Sequence, residues 1–277
     1  ARAFPRLLGL LATLGGRVAL YGGLRAYLPE RRSAAVIASL FALPWFVTTW
    51  AALARVDTLA ILFSLAGLAI VLRRGVTREA WPALVFFWLA FFTKQNALVA
   101  PAAVALELLL ARDRRLPKAL LAYAVPLLAV FGLLALATHG AAYRHLVPYT
   151  AAAEYEAGRM GESYLQFAVI AAPMLLLVAA ALSLLPAAFG SGAGRLLLLY
   201  FALNLLALAT IAKAGAAQNY FLEPWAATLL LAAFAGRTLL ERRPHLAPWR
   251  WAFVAVAAAV ASLSFPSLHR LPQALRR

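Results

Sequence analysis

Residues 175–185 read LLLVAAALSLL, a run whose one polar side chain is Ser183. The run does not alternate. A half-buried strand sends successive side chains to opposite faces, so this is not one. It lies inside a longer apolar block, 164–189, and about 20 residues of helix suffice to cross a hydrocarbon core. Working outward, similar blocks occupy about 7–28, 34–52, 57–72, 80–93, 96–111, 118–138, 195–212, 222–238 and 250–266. Lipid offers no partner to an exposed backbone group, so helices are the natural way to fill such blocks. A β-barrel would need short alternating strands instead. The expectation is an all-α fold, a polytopic transmembrane helical bundle of about ten membrane segments. Pro44, Pro101, Pro126, Pro173 and Pro186 fall inside or at the ends of blocks. Kinks of that kind are tolerated in membranes. Blocks 57–72 and 80–93 are shorter than a comfortable span, which suits tilted neighbours of a cavity.

Composition agrees. Hydrophobic residues make up 65% of the 277 and charged residues 13%. A soluble domain is about half apolar and about a quarter charged. The formal charge of +16 raises nucleic acid as a partner, but the cations sit in short clusters between apolar blocks and form no stripe on a polar face. The absence of cysteine excludes disulfides and thiolate metal sites. Arginine outnumbers lysine 23 to 3, and alanine and leucine dominate. That usage suggests a GC-rich bacterial genome.

The connections between blocks split the cations unequally. One alternate set holds Arg25, Arg31, Arg32, Arg73, Arg74, Arg78, Arg112, Arg114, Arg115, Lys118, Arg195, Arg237, Arg242, Arg243 and Arg250, fifteen in all. The other holds five: Arg55, Lys94, Arg144, Arg159 and Lys213. Cations accumulate on the cytoplasmic side, so the first set marks that side of a multi-pass protein of a bacterial cell (inner) membrane. This alternation requires a hairpin turning near Lys94 rather than one kinked span over 80–111.

Scarce polar residues gather on the opposite, outer side. Arg55 and Asp57 form one cluster, Lys94, Gln95 and Asn96 a second, and Lys213, Gln218, Asn219, Tyr220 and Glu223 a third. The longest connection, 139–163, is an outer and potentially interfacial segment with His139, Tyr143, Arg144, His145, Tyr149, Glu154, Tyr155, Glu156 and Glu162. Ionisable groups near a bilayer are costly and tend to be functional. An outer-facing polar cavity is their simplest common destination. Plainer readings stay open: Asp57 and Asn96 as helix caps, Lys94 snorkelling to headgroups, Glu223-Pro224 as a helix start, and tyrosines anchoring the interface. Glu107 reads as a structural partner for nearby cations. The histidines lack metal-ligand spacing, so no metal is expected. The Gly190–Gly194 turn lacks the lysine and hydroxyl of a phosphate loop.

Three stretches carry a resemblance: Ala54-Arg55-Val56-Asp57-Thr58-Leu59-Ala60, Phe92-Thr93-Lys94-Gln95-Asn96-Ala97 and Asn219-Tyr220-Phe221-Leu222-Glu223-Pro224. In this order they resemble the GT-C superfamily of membrane glycosyltransferases, nearest the bacterial protein O-mannosyltransferases and lipid A aminoarabinose transferases, over about residues 6–238. The resemblance implies transfer of a sugar from a polyprenyl-phosphate-linked donor to a lipid, glycan or protein acceptor, on the non-cytoplasmic side and with inversion. It implies no cofactor beyond that donor substrate. A carboxylate would serve as general base, and cations would stabilise the departing phosphate.

In that family the catalytic aspartate lies in the first outer loop, which nothing here matches. Ala1 opens the chain without Met, and the expectation is a single transferase-like domain over 1–277 without its N-terminal helix and first outer loop. The catalytic residue therefore stays unknown, with Asp57 and Glu223 as supporting carboxylates. Lys94 and Lys213 are the expected phosphate contacts, backed by Arg55 and Arg144. Gln95, Asn96, Asn219 and Tyr220 complete the substrate-binding set. Rival readings are a flippase or transporter of a lipid-linked sugar and a non-catalytic partner in envelope assembly. Sugar, acceptor and oligomeric state are not encoded legibly.

Overall fold

The computed structural model describes residues 3–53, 55–75, 80–146, 154–190, 192–213 and 216–263. The described chain is helical throughout, with one isolated antiparallel bridge between Tyr155 and Lys213. Its α-helices are α1 (Ala3–Leu24), α2 (Arg31–Leu40), α3 (Trp45–Ala52), α4 (Asp57–Arg74), α5 (Pro82–Thr93), α6 (Val99–Leu110), α7 (Leu116–Ala137), α8 (Ala141–Leu146), α9 (Ala157–Leu184), α10 (Gly192–Leu208), α11 (Leu222–Arg242) and α12 (Arg250–Leu263). Short 3-10 turns cover Pro186–Phe189, Ala209–Ala212, Gln218–Phe221 and Pro244–Trp249.

Each apolar block thus becomes a helix or a helix pair, but few are full-length spans. Among the described residues four segments are long and apolar enough to cross a membrane: Phe4–Leu24, Leu116–Ala137, Ala157–Leu184 and Gly192–Ala212. A fifth arises if α2 and α3, bent by 73° across their break, count as one. That break falls at Pro44, which stands in extended conformation at the N-cap of α3. A proline ring disfavours helix in the residue before it, so block 34–52 could not remain one straight helix. The 12-residue α5 and α6 are only about 18 Å long at 1.5 Å per residue. The chain reverses direction through residues 94–98, since α5 leads from the Phe87–Gly67 contact to Lys94 at Asp57 and α6 leads back to Glu107 at Arg195, the hairpin that the charge alternation required.

The core centres on α11, where Leu222, Trp225, Ala226, Ala227, Leu229, Leu230 and Leu231 are almost wholly buried. It is surrounded by α9, α10 and α1. By contrast α7 buries Leu127 and exposes Leu128, Leu133 and Leu136. A helix that apolar and that exposed has lipid as its natural neighbour. Three side-chain bonds lock α11 to the N-terminal half: Trp225 Nε1 donates to Phe41 O at 3.2 Å, Tyr27 Oη to Leu230 O at 2.7 Å, and Arg237 to Tyr27 O. Because α11 joins both halves, it fixes where their polar ends meet.

Helices α4 and α5 pack closely through Gly67. A Cβ there would lie 2.5 Å from Phe87 Cε1, and Phe87 is buried. Gly67→Val is therefore expected to cost about 1–3 kcal/mol, the usual range for overpacking a tight contact. Denaturant titration in detergent micelles measures it.

The two ends of the bundle differ as the charges foretold. Asp57 opens α4, while Arg73 and Arg74 close it, about 27 Å away along an 18-residue helix. On the Arg73 end, Arg195 makes a two-pronged bond to Glu107, with Nε–Oε2 at 2.7 Å and Nη2–Oε1 at 3.0 Å. Glu107 is thus structural, and its partner is Arg195 rather than the adjacent Arg112. Also there, Arg250 pairs with Glu30 at 2.9 Å. Arg2, Arg78, Tyr149, Arg270, Arg276 and Arg277 lie outside the described residues.

Candidate functional site

The other end brings the three sequence clusters together around Asp57. This carboxylate is 2% exposed. It occupies the first position of α4, where the helix dipole favours a negative charge. Its side chain does not cap the helix; the N-cap residue is Val56. Instead Oδ1 accepts from Lys94 Nζ at 2.5 Å and from Asn219 Nδ2 at 2.6 Å. Oδ2 accepts from Arg55 Nε at 3.3 Å. Residues 55, 57, 94 and 219 thus form one hydrogen-bonded unit from three distant stretches.

Local structure explains how each side chain arrives. Lys94 follows the last turn of α5 in extended conformation, its N–H bonded to Ala90 O. The helix therefore stops, and the side chain turns inward rather than snorkelling to solvent. Asn219 sits in the 3-10 turn Gln218–Phe221. The fully buried Phe221 ring pins that turn by packing against Phe46 and Phe167, with centroids 5.5 and 5.7 Å away. Tyr220, next along, places its ring 4.6 Å from Lys94 Nζ. Its hydroxyl accepts from Asn96 Nδ2 at 3.3 Å. Asn96 is not a helix cap, because α6 starts at Val99 with Leu98 at the N-cap. Arg55 lies over the Trp50 ring at 5.1 Å.

Beyond this unit, the half-buried Glu223 accepts from the hydroxyl of the fully buried Tyr200 at 3.0 Å. Asn204, one turn along α10, donates to Tyr200 O. Tyr200 was missed from sequence because a lone tyrosine in the Leu-rich α10 carries no local polar signal. Trp50 Nε1 and Thr58 Oγ1, flanking Arg55 and Asp57 in sequence, are buried with no hydrogen-bond partner among the described residues. Such groups carry a desolvation cost that a bound polar molecule can relieve.

The remaining candidates stand apart. Gln95 is exposed beside the cluster. Lys213 is half-buried after the turn Ala209–Ala212, bridged through its backbone to Tyr155. The same strip is held by Glu156 N bonding to Ala212 O and by Arg159 donating to Ala216 O. Arg144 is exposed on α8, and its described contacts join it to none of Asp57, Lys94 or Asn219. In the connection 139–163, Tyr143 and Tyr155 are exposed, in keeping with an interfacial position.

The site's chemistry follows from its charges. Asp57 neutralises one of two cations, leaving Arg55, Lys94 and Asp57 with a net positive charge. An ammonium has three donors, and Asp57 takes one from Lys94. Both carboxylate oxygens are engaged, so Asp57 acts by positioning Lys94 and Asn219. No group of three or more metal-binding side chains occurs among the described residues. No protein-family model matches the chain, and no curated protein or solved structure matches it significantly.

Proposed function

We propose that the chain is a multi-pass membrane glycosyltransferase of the GT-C type, set in a bacterial cell membrane with about ten membrane segments. Its substrate is a polyprenyl-phosphate-linked sugar, used on the side opposite the arginine clusters. The supporting observation is the union of Arg55, Asp57, Lys94 and Asn219 at the end with few cations. Those residues come from the same three stretches that carry the resemblance. In the reaction, the acceptor hydroxyl oxygen attacks the anomeric carbon and its proton passes to a base. The bond from that carbon to the phosphate oxygen breaks, and polyprenyl phosphate leaves. Lys94, held by Asp57 and backed by the Tyr220 ring, meets the negative charge growing on that oxygen. Lys213 and Arg55 supply further positive field. Asp57 and Glu223 are supporting carboxylates in this scheme, and the base is left unassigned.

Proteoliposomes holding the full-length protein and a polyprenyl-phosphate sugar test the proposal. Transfer should occur, and Lys94→Ala should lower it by about 10²–10³-fold, the usual loss on removing a preorganised charge at a reacting oxygen. Lys213→Ala should lower it by about tenfold, because its charge acts from farther away. Movement of the intact lipid-linked sugar across the bilayer without transfer would instead make the protein a transporter.

A further inference from the structure

A half-open cavity of about 470 Å³ lies at the arginine-rich end, lined by α2, α9, α11 and α12. Its lining includes Arg237 and Glu241 of α11. Glu223 and Glu241 are eighteen residues apart on that helix, or about 27 Å, so the cavity is remote from Asp57. The walls are apolar: Ile37, Leu40, Met174, Leu177, Leu229 and Val254. Its polar lining is Glu30, Ser33, Arg237, Glu241 and Arg250. Arg250 gives one described hydrogen bond, to Glu30, and Arg237 gives two, to Glu241 and Tyr27 O. Each guanidinium has five donors, which leaves N–H groups beyond those bonds.

The surroundings choose the sign of an occupant. Segments 25–33 and 237–250 carry Arg25, Arg31, Arg32, Arg237, Arg242, Arg243 and Arg250 against Glu30 and Glu241. In the lining itself Arg250 is paired with Glu30 and Arg237 with Glu241, so the preference for a negative headgroup comes from the other five arginines of these two flanking segments. Exposed Trp249 lines the same opening, and tryptophan settles at headgroup depth. An apolar slot beside forked guanidinium donors fits a molecule with an acyl chain and a phosphate.

We propose that this cavity binds an anionic glycerophospholipid from the adjoining leaflet, with its phosphate at Arg250 and Arg237 and an acyl chain along the walls. The proposal needs only that the protein sits in a bilayer. Its failure would leave the transferase reading intact, because the two sites occupy opposite ends.

The test extracts the full chain from vesicles of equimolar phosphatidylglycerol and phosphatidylcholine with identical acyl chains, and counts retained lipid by native mass spectrometry. The unaltered protein should retain about fivefold more phosphatidylglycerol, as expected from roughly one lipid-facing arginine interaction. Arg250→Gln, at a partly exposed position, should bring the two lipids near parity. Val254→Trp, which fills the slot, should reduce both. Equal retention by the unaltered protein would overturn the proposal. So would undiminished preference in Arg250→Gln, undiminished retention in Val254→Trp, or displacement of phosphatidylglycerol by added polyprenyl phosphate.

Discussion

Lys94→Met should destabilise the protein by about 3 kcal/mol and lower transfer by about 10²–10³-fold, while Lys94→Met combined with Asp57→Leu should regain stability but not activity. The single change leaves the carboxylate at Asp57, 2% exposed, without its nearest cation. Breaking a buried pair by removing one partner costs about 3–5 kcal/mol. The lower figure applies because Arg55, at 3.3 Å, and Asn219 still hold the oxygens. The double change removes the orphaned charge, and an apolar pair of similar size is often no less stable. On the proposed mechanism activity does not return, since the cation assigned to the leaving phosphate is gone. Equilibrium unfolding in micelles alongside a transfer assay separates the two effects. Recovery of both together would mean that Lys94 is only structural.

The second large effect is expected at Trp225, which is fully buried and bonded to Phe41 O. Trp225→Ala should cost about 3–5 kcal/mol, the range for deleting a large aromatic side chain from a packed interior. The loss is lost packing and an orphaned carbonyl, so it does not depend on a water-driven hydrophobic effect inside the membrane. Trp225 also sits in the first turn of α11, directly after the 3-10 turn that carries Asn219 and Phe221. Its removal should therefore lower transfer, and Trp225→Phe should preserve more of both properties. Unfolding midpoints and transfer rates of the two variants provide the check.

Helix positions were legible because apolar blocks announce themselves by length. The ends of α4, α7 and α11 fall within a few residues of the blocks that predict them. The span count was not legible in the same way. Block 34–52 has the length of one span, yet Pro44 bends it into α2 and α3. Blocks 80–93 and 96–111 became helices of 12 residues, and apolar composition alone does not separate a short inserted helix from a full crossing.

For the site, rarity was the usable signal: few lysines and asparagines occur, and several lie at helix ends on one side. Partner choice was not readable. Lys94 meets Asp57 from 37 positions away and Asn219 from 162. Capping was an equally economical local reading for Asp57 until tertiary packing supplied better partners. Glu107 shows the same limit: its charge called for a cation, but only the fold chose Arg195, 88 positions on, over nearby Arg112. Arg144 shows the opposite case, since a cation in a long outer connection looks like a ligand group wherever the connection leads.

The chain has no cysteine, so a single introduced thiol reports on one place. Asn96→Cys puts it beside Tyr220 and Lys94, on an exposed position. Its labelling by a membrane-impermeant maleimide, with and without donor, is the most direct test of the site. The account predicts labelling from the face opposite the arginine clusters, slowed by a polyprenyl-phosphate sugar and unaffected by the matching polyprenol. Labelling from the arginine-rich face, or a rate indifferent to the phosphate-bearing donor, would contradict it.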